Sequence, residues 1–197
     1  MTVCGTSAPS YTMDAGLETV HTDDRMLVER LRNGAPGAID EIVERYKRPV
    51  YAFIIRMIGN RDTADDLFQE TWLRVVRSAG SFRGDAKIST WLFQIALNQC
   101  RDHIRKTGKV QLTSLEDAEQ LTCDPGIDPL KMLEADRVRA MIRELPQKMR
   151  EVIVLRMYHD LDDREIAAAI GCPVGTVKTR YHRALKLLEK KWDLRSR

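Results

Sequence analysis

Apolar residues recur at three- and four-residue steps through most of this chain and nowhere alternate with polar ones over a useful length, so the sequence predicts an all-α fold. Met26, Leu27 and Leu31, with Glu29 and Arg30 between them, form a short amphipathic set that stops near Asn33 and Gly34. Ile39, Ile42, Val43, Tyr46, Val50, Phe53, Ile54, Met57 and Ile58 continue the period to Gly59-Asn60, and Pro49 inside the run predicts a kink or a break. Asp62 is the expected N-cap of the next helix, whose apolar face is Leu67, Phe68, Trp72, Val75 and Val76. Gly80 and Gly84 mark 78–85 as a loop. Ser89 or Thr90 is expected to cap a third long helix with Trp91, Leu92, Ile95 and Ala96 inward. Basic residues fill its last turn near Lys106-Thr107-Gly108, as the helix dipole favours.

The character changes at residue 110. Residues 110–129 hold Glu116, Asp117, Glu119, Asp124 and Asp128 and no Lys or Arg, which reads as an acidic, flexible linker. Asp128-Pro129 predicts a new helix start in cap-then-Pro order, and Leu145-Pro146 ends that helix. A second helix carries Met149, Val152, Ile153, Leu155 and Arg156. Asp162 and Glu165 form a capping box for a short third, and a last helix runs from about Val174 to Leu188 or beyond. The expected organisation is a loose tail over 1–22, a helical domain over 23–108, a linker over 109–129 and a second helical domain over 130–193.

Residues 164–183 have the spacing of a helix-turn-helix. Ile166, Ala167 and Ile170 share one face, and Ala167 is small enough for a steep helix crossing. Gly171 suits a sharp turn, and Val174 and Val177 face inward from the next helix. That helix is basic: from Thr176 to Lys191 there are six Lys or Arg and one Glu, a net of 6 − 1 = +5. Lys178, Thr179 and Arg180 are placed to reach base edges in a major groove, and Arg183 and Lys186 to contact bases or phosphates. The net charge of the whole chain, +3, does not announce nucleic-acid binding; its placement does.

A helix-turn-helix alone leaves repressor, response-regulator output domain and sigma factor open. The run Asn60-Arg61-Asp62-Thr63-Ala64-Asp65-Asp66-Leu67-Phe68-Gln69-Glu70-Thr71-Trp72 resembles conserved region 2.2 of bacterial sigma factors. Phe82-Arg83-Gly84-Asp85, followed by Ser89-Thr90-Trp91-Leu92-Phe93-Gln94-Ile95-Ala96-Leu97-Asn98, is similar to the −10 reading segment of the extracytoplasmic-function (ECF) class. Gly171-Cys172-Pro173-Val174-Gly175-Thr176-Val177-Lys178-Thr179-Arg180 is similar to region 4.2, which reads the −35 element. The three occur in order over about 23–193, with no room for the third folded domain of larger sigma factors.

The resemblance implies a factor that binds core RNA polymerase, through the clamp helices of the largest subunit and the flap of the second largest, and directs it to promoter DNA. It assigns polymerase docking to Asp62, Asp65, Asp66, Gln69, Glu70 and Trp72, and −10 recognition to Phe82, Arg83, Gly84, Asp85, Asn98, Arg101 and Arg105. The −35 contacts fall to Thr176, Lys178, Thr179, Arg180, His182, Arg183 and Lys186. A linker running toward the RNA exit path and an anti-sigma protein as a further partner are also implied. Gln94 departs from the family, where a basic residue is frequent, and the absence of the aromatic cluster of primary sigma factors implies stringent promoter choice and weaker melting. By helical spacing alone, Trp72 and Trp91 read as core rather than as stacking platforms.

Other classes are disfavoured. No P-loop, H-E-x-x-H, G-x-S-x-G or G-x-G-x-x-G occurs, and the histidines (His21, His103, His159, His182) are isolated. The adjacent carboxylates Asp65-Asp66 and Asp162-Asp163 diverge on a helix, so no enzyme, cofactor or metal is expected. Cys4, Cys100, Cys123 and Cys172 are scattered and read as reduced, packed residues of a cytoplasmic protein. Neither a signal peptide nor a membrane span is expected. The remaining alternatives are a free-standing helix-turn-helix repressor or activator with a dimerisation or sensor domain, and a pure protein-interaction module.

Overall fold

The computed structural model of the protein describes residues 26–82, 84, 86–108 and 137–195, with side chains to residue 193. The expected tail over 1–22, the acidic linker and the helix start at Asp128-Pro129 lie outside the described residues. Among those described there is no strand, and the all-α expectation holds.

In the first domain, α1 (26–32) leads into α2 (Ala38–Ile58), α3 (Arg61–Ser78), a 3₁₀ turn (Ala79–Ser81) and α4 (Ile88–Thr107). Helices α2, α3 and α4 pack against one another, and Leu27 and Leu31 of α1 are buried with them. The chain stays helical through Pro49. The ring forfeits one backbone hydrogen bond, which the burial of Val50, Phe53 and Ile54 on the following turn offsets.

Neither of two expected caps forms. Asn60, not Asp62, caps α3, its side chain accepting from the Thr63 N–H at 2.9 Å. Helix α4 starts at Ile88 with no side-chain cap, so neither Ser89 nor Thr90 serves, and Thr90 is buried inside the first turn. The far end of α4 is as expected, with Gly108 in the left-handed region at φ 64° after Arg105 and Lys106. Cys100 is fully buried on α4, and burial raises its thiol pKa far above the ordinary value.

In the second domain, α5 (137–143) ends at the Leu145-Pro146 break and α6 (Gln147–His159), α7 (Asp163–Ile170) and α8 (Val174–Arg195) follow. Both α6 and α7 pack on α8. Lys191, near the tail of α8, is ion-paired with Glu144 after α5 and braces the helix at that end.

Periodicity predicts two separate bodies; in the structure they share one core. Helix α4 packs on α7 and α2 on α6, and a single cluster of buried apolar residues runs from Leu27 to Ala184. The domains exchange arginines across this seam. Arg150 of α6 is buried and donates at 3.1 Å to the Met57 carbonyl at the C-terminal end of α2, while Arg101 of α4 donates at 3.3 Å to the Ile170 carbonyl at the end of α7. Each cation meets the negative end of a helix in the other domain. Burial lowers the Arg150 pKa, but the group remains a cation. His159 of α6 lies against Phe53 and Phe93 of the first domain, at ring distances of 5.8 and 4.5 Å. It is a seam residue, not the isolated one its sequence neighbourhood suggests.

Candidate nucleic-acid interface

The helix-turn-helix is assembled from local signals. At the start of α7, Asp162 accepts from the Arg164 and Glu165 N–H groups at 2.7 and 2.8 Å. The Glu165 carboxylate accepts in return from the Asp162 N–H at 2.8 Å, completing the predicted capping box. The bond from the Glu165 N–H holds the Asp162 carboxyl below its ordinary pKa, against an opposing effect of burial. Gly171 ends α7 at φ 71°, a conformation that would strain any L side chain there, and its N–H and that of Cys172 both close on the Ala167 carbonyl.

On α8, Val177 and Ala184 are fully buried, and Tyr181 and Leu188 pack on the core between and beyond them. This 177–181–184–188 stripe fixes the rotation of the helix and turns Lys178, Thr179, His182, Arg183 and Lys186 to solvent. Thr176 and Arg180 are half-buried. The Thr179 hydroxyl donates back to the Gly175 carbonyl at 2.9 Å, and Arg180 leans on the Cys172 sulfur at 3.9 Å. The outward side of the helix is therefore a cationic ridge centred on Lys178, Arg183 and Lys186.

The first domain carries two further stripes. On α3, Asp62, Asp66, Gln69, Leu73 and Val76 lie on one exposed line at helical spacing. Leu73 and Val76 are each 50% exposed. Val76 was expected inward and is not, and Leu73 was not singled out; an exposed apolar pair beside carboxylates is the signal that marks them. Asp65 is half-buried and accepts from the Tyr51 hydroxyl at 2.7 Å, and Glu70 is 3.4 Å from Arg74. Trp72 is half-buried edge-on to Phe68, so it belongs to the packed side of α3, as its spacing suggests.

On α4, Gln94, Asn98, Arg101 and Arg105 form the second stripe. Gln94, Asn98 and Arg105 are exposed, with Arg105 3.0 Å from Asp102. Arg101 is half-buried against the second domain, and its guanidinium donates to both Glu151 oxygens at 2.9 and 2.6 Å. Phe82 corrects the expectation of a base-contacting ring, for it is 7% exposed and stacked on Trp91 at 4.6 Å, in the core. Gly84, at φ 79°, approaches α1 so closely that a Cβ there would come within 2.9 Å of Val28 Cγ1. Arg83 and Asp85 lie outside the described residues. Among the described residues no cluster of potential metal ligands occurs and no helix is long and apolar enough to cross a membrane.

Two family models match the chain: Sigma-70 region 2 over residues 42–110 and Sigma-70 region 4 over 135–188. Those two regions, in that order, define a sigma-70-type transcription initiation factor. The RNA polymerase sigma-H factor of Pseudomonas aeruginosa is 33% identical over 85% of this chain and 92% of its own length. The ECF RNA polymerase sigma factor SigW of Bacillus subtilis is 35% identical over 83% and 93%. The structure of CnrH in complex with the cytosolic domain of CnrY is similar with a TM-score of 0.65 at 27% identity, covering 87% of this chain and 97% of that one. The chain belongs to the extracytoplasmic-function sigma factors, which direct RNA polymerase to promoters for transcription initiation.

Proposed function

We propose the following division of that work among residues. The 23–108 domain docks on the polymerase clamp helices through the α3 stripe of Asp62, Asp66, Gln69, Leu73 and Val76, with Asp65 and Glu70 at its edge. It reads the −10 element with residues 83–85 and the α4 stripe of Asn98, Arg101 and Arg105. The 130–193 domain lies near the polymerase flap and reads the −35 element with α8. Lys178 and Arg183 reach base edges there, and Lys186 holds a phosphate. The factor has no catalytic residues of its own and works in the cytoplasm. An anti-sigma protein is the remaining partner the family implies; CnrH, similar to this chain, is solved with a second protein, CnrY.

One observation carries this reading. The face of α8 opposite Val177 and Ala184 is exposed and cationic, on a helix whose orientation the Asp162 capping box and Gly171 fix. The test is reconstitution. Purified chain and core polymerase, given fragmented genomic DNA, should yield transcripts that start downstream of a shared two-part element, and neither component alone should. Tight binding to one DNA site without polymerase, and no transcript with it, would instead identify a free-standing repressor.

A further inference from the structure

A cleft of about 390 Å³ lies between the middle of α2, the start of α4 and the end of α6. Its floor is on α2, where Pro49 and Ala52, three positions apart, carry no long side chain to fill it. Phe93 of α4 and Tyr158 of α6 wall it with aromatic rings. None of its lining residues belongs to the α3 stripe, the α4 stripe or the cationic ridge of α8.

Two polar groups in this cleft are unmet. Arg56 is half-buried, and among the described residues no carboxylate pairs with it. Its charge is faced only by the Tyr158 ring, whose centroid is 4.2 Å from the guanidinium carbon; a ring face attracts the cation but accepts none of its N–H donors in the way an anion does. Burial lowers the Arg56 pKa, as it does for a cation drawn from water without a counter-ion, although the group stays charged. The second is His159, whose buried Nε2 has no hydrogen-bond partner. An apolar hollow with a few convergent polar groups is the usual form of a small-molecule site, and its volume falls in the range of about 300–1,000 Å³ typical of them.

The lining also states what charge it accepts. Arg48, exposed at the mouth, and Arg56 are opposed by Asp160, which ends α6 in the left-handed region at φ 49°. With His159 kept neutral by burial the lining carries a net of 2 − 1 = +1. One negative charge is matched, whereas a polyphosphate would meet the Asp160 carboxylate. A carboxylate fits the arginine fork in two parallel bonds, and a flat apolar body suits walls made of rings. We propose that this cleft binds a small aromatic monocarboxylic acid, its carboxylate held by Arg56 and its ring lodged between Phe93 and Tyr158 over Ala52.

The probe is 1-naphthoate, with 1-naphthalenemethanol as its uncharged counterpart, each titrated calorimetrically into the full chain. The acid should bind at one site per chain and raise the melting temperature progressively with its concentration. The alcohol should bind about tenfold more weakly. Ala52→Leu fills the floor from a helix position that leucine suits, and should abolish binding of the acid while the free chain melts much as before. Arg56→Lys keeps the charge and loses the fork; it should weaken the acid by about tenfold and leave the alcohol unchanged. No binding of 1-naphthoate to the wild-type chain at about 1 mM would overturn the proposal. So would equal affinity for acid and alcohol, or undiminished binding of the acid to folded A52L. The wild-type comparison of acid with alcohol requires no variant, so it decides even if a substitution unfolds the chain.

Discussion

The imidazole of His159 packs 4.5 Å from the ring of Phe93, although the two residues come from different domains. The contact half-buries the histidine, and its buried Nε2 has no hydrogen-bond partner there. Burial, with the positive charge of Arg56 second, pushes its pKa down to about 3. An unfolded histidine takes up a proton near pH 6.5, so between that pH and about 3 unfolding absorbs a proton that the folded chain refuses. Stability is therefore full above pH 6.5 and falls as the solution is acidified, by about 2 kcal/mol at pH 5. Asp162, whose pKa is also lowered, weakens the fold only at still lower pH, below the ordinary carboxylate value. Denaturant melts of wild type and H159F at pH 7.5 and pH 5 should show a loss for the first and a nearly flat response for the second. Equal losses in both would contradict the assignment.

Replacing Lys178 or Arg183 by Ala should cost about 1–3 kcal/mol in binding to a cognate −35 element and relax discrimination at one base position. Lys186→Ala should weaken all sequences alike and flatten the salt dependence of log K by about 0.9. Fluorescence anisotropy of holoenzyme on promoter fragments across a salt series separates the two patterns. A purely uniform loss for R183A would move that residue from base reading to phosphate holding.

The capping box and the turn can be tested without DNA. Asp162→Ala leaves the Arg164 and Glu165 N–H groups without their acceptor and should destabilise the fold by about 1 kcal/mol. Gly171→Ala meets no atom within 4 Å, so its cost, about 1–2 kcal/mol, comes from the left-handed backbone alone. Chemical denaturation measures both; a neutral G171A would mean that the turn relaxes to another conformation.

Leu73 and Val76 stand half in water on α3, so Leu73→Ser and Val76→Ser should leave the stability of the free chain within about 0.5 kcal/mol. The same pair of changes should weaken core polymerase binding by tenfold or more, as expected for apolar anchors of an interface. Competition against a labelled sigma factor gives the affinity, and a thermal melt supplies the control.

The parts legible in the sequence are the local ones. The capping box, Gly171, the Leu145-Pro146 break and the Gly108 end of α4 are each dictated by residues a few positions apart, and each stands where the pattern places it. The pattern misplaces caps where two good candidates compete, as Asn60 and Asp62 do, or where no side chain caps at all, as before Ile88. Val76 illustrates a limit of periodicity, since a helix with apolar residues on more than one face does not say which face the core takes. The seam left no periodic trace. Arg101 and Glu151 are fifty positions apart, and each alone reads as one more surface charge. The cationic ridge of α8 is legible at Lys178, Arg183 and Lys186, because the buried 177–181–184–188 stripe fixes the rotation of everything between, whereas Arg180 and Lys191 are half-buried.

The Lys191–Glu144 pair has a bearing on accuracy of aim. From Lys178 to Lys191 the helix is a rod about 20 Å long, at 1.5 Å per residue. A swing of about 10° at the strapped tail would carry Lys178 about 3 Å sideways, as far as a hydrogen bond is long. Tail and tip behave as two ends of one lever, so on the proposed reading of α8 a mutation that frees Lys191 would blur which base pair the far end addresses without touching any residue near it.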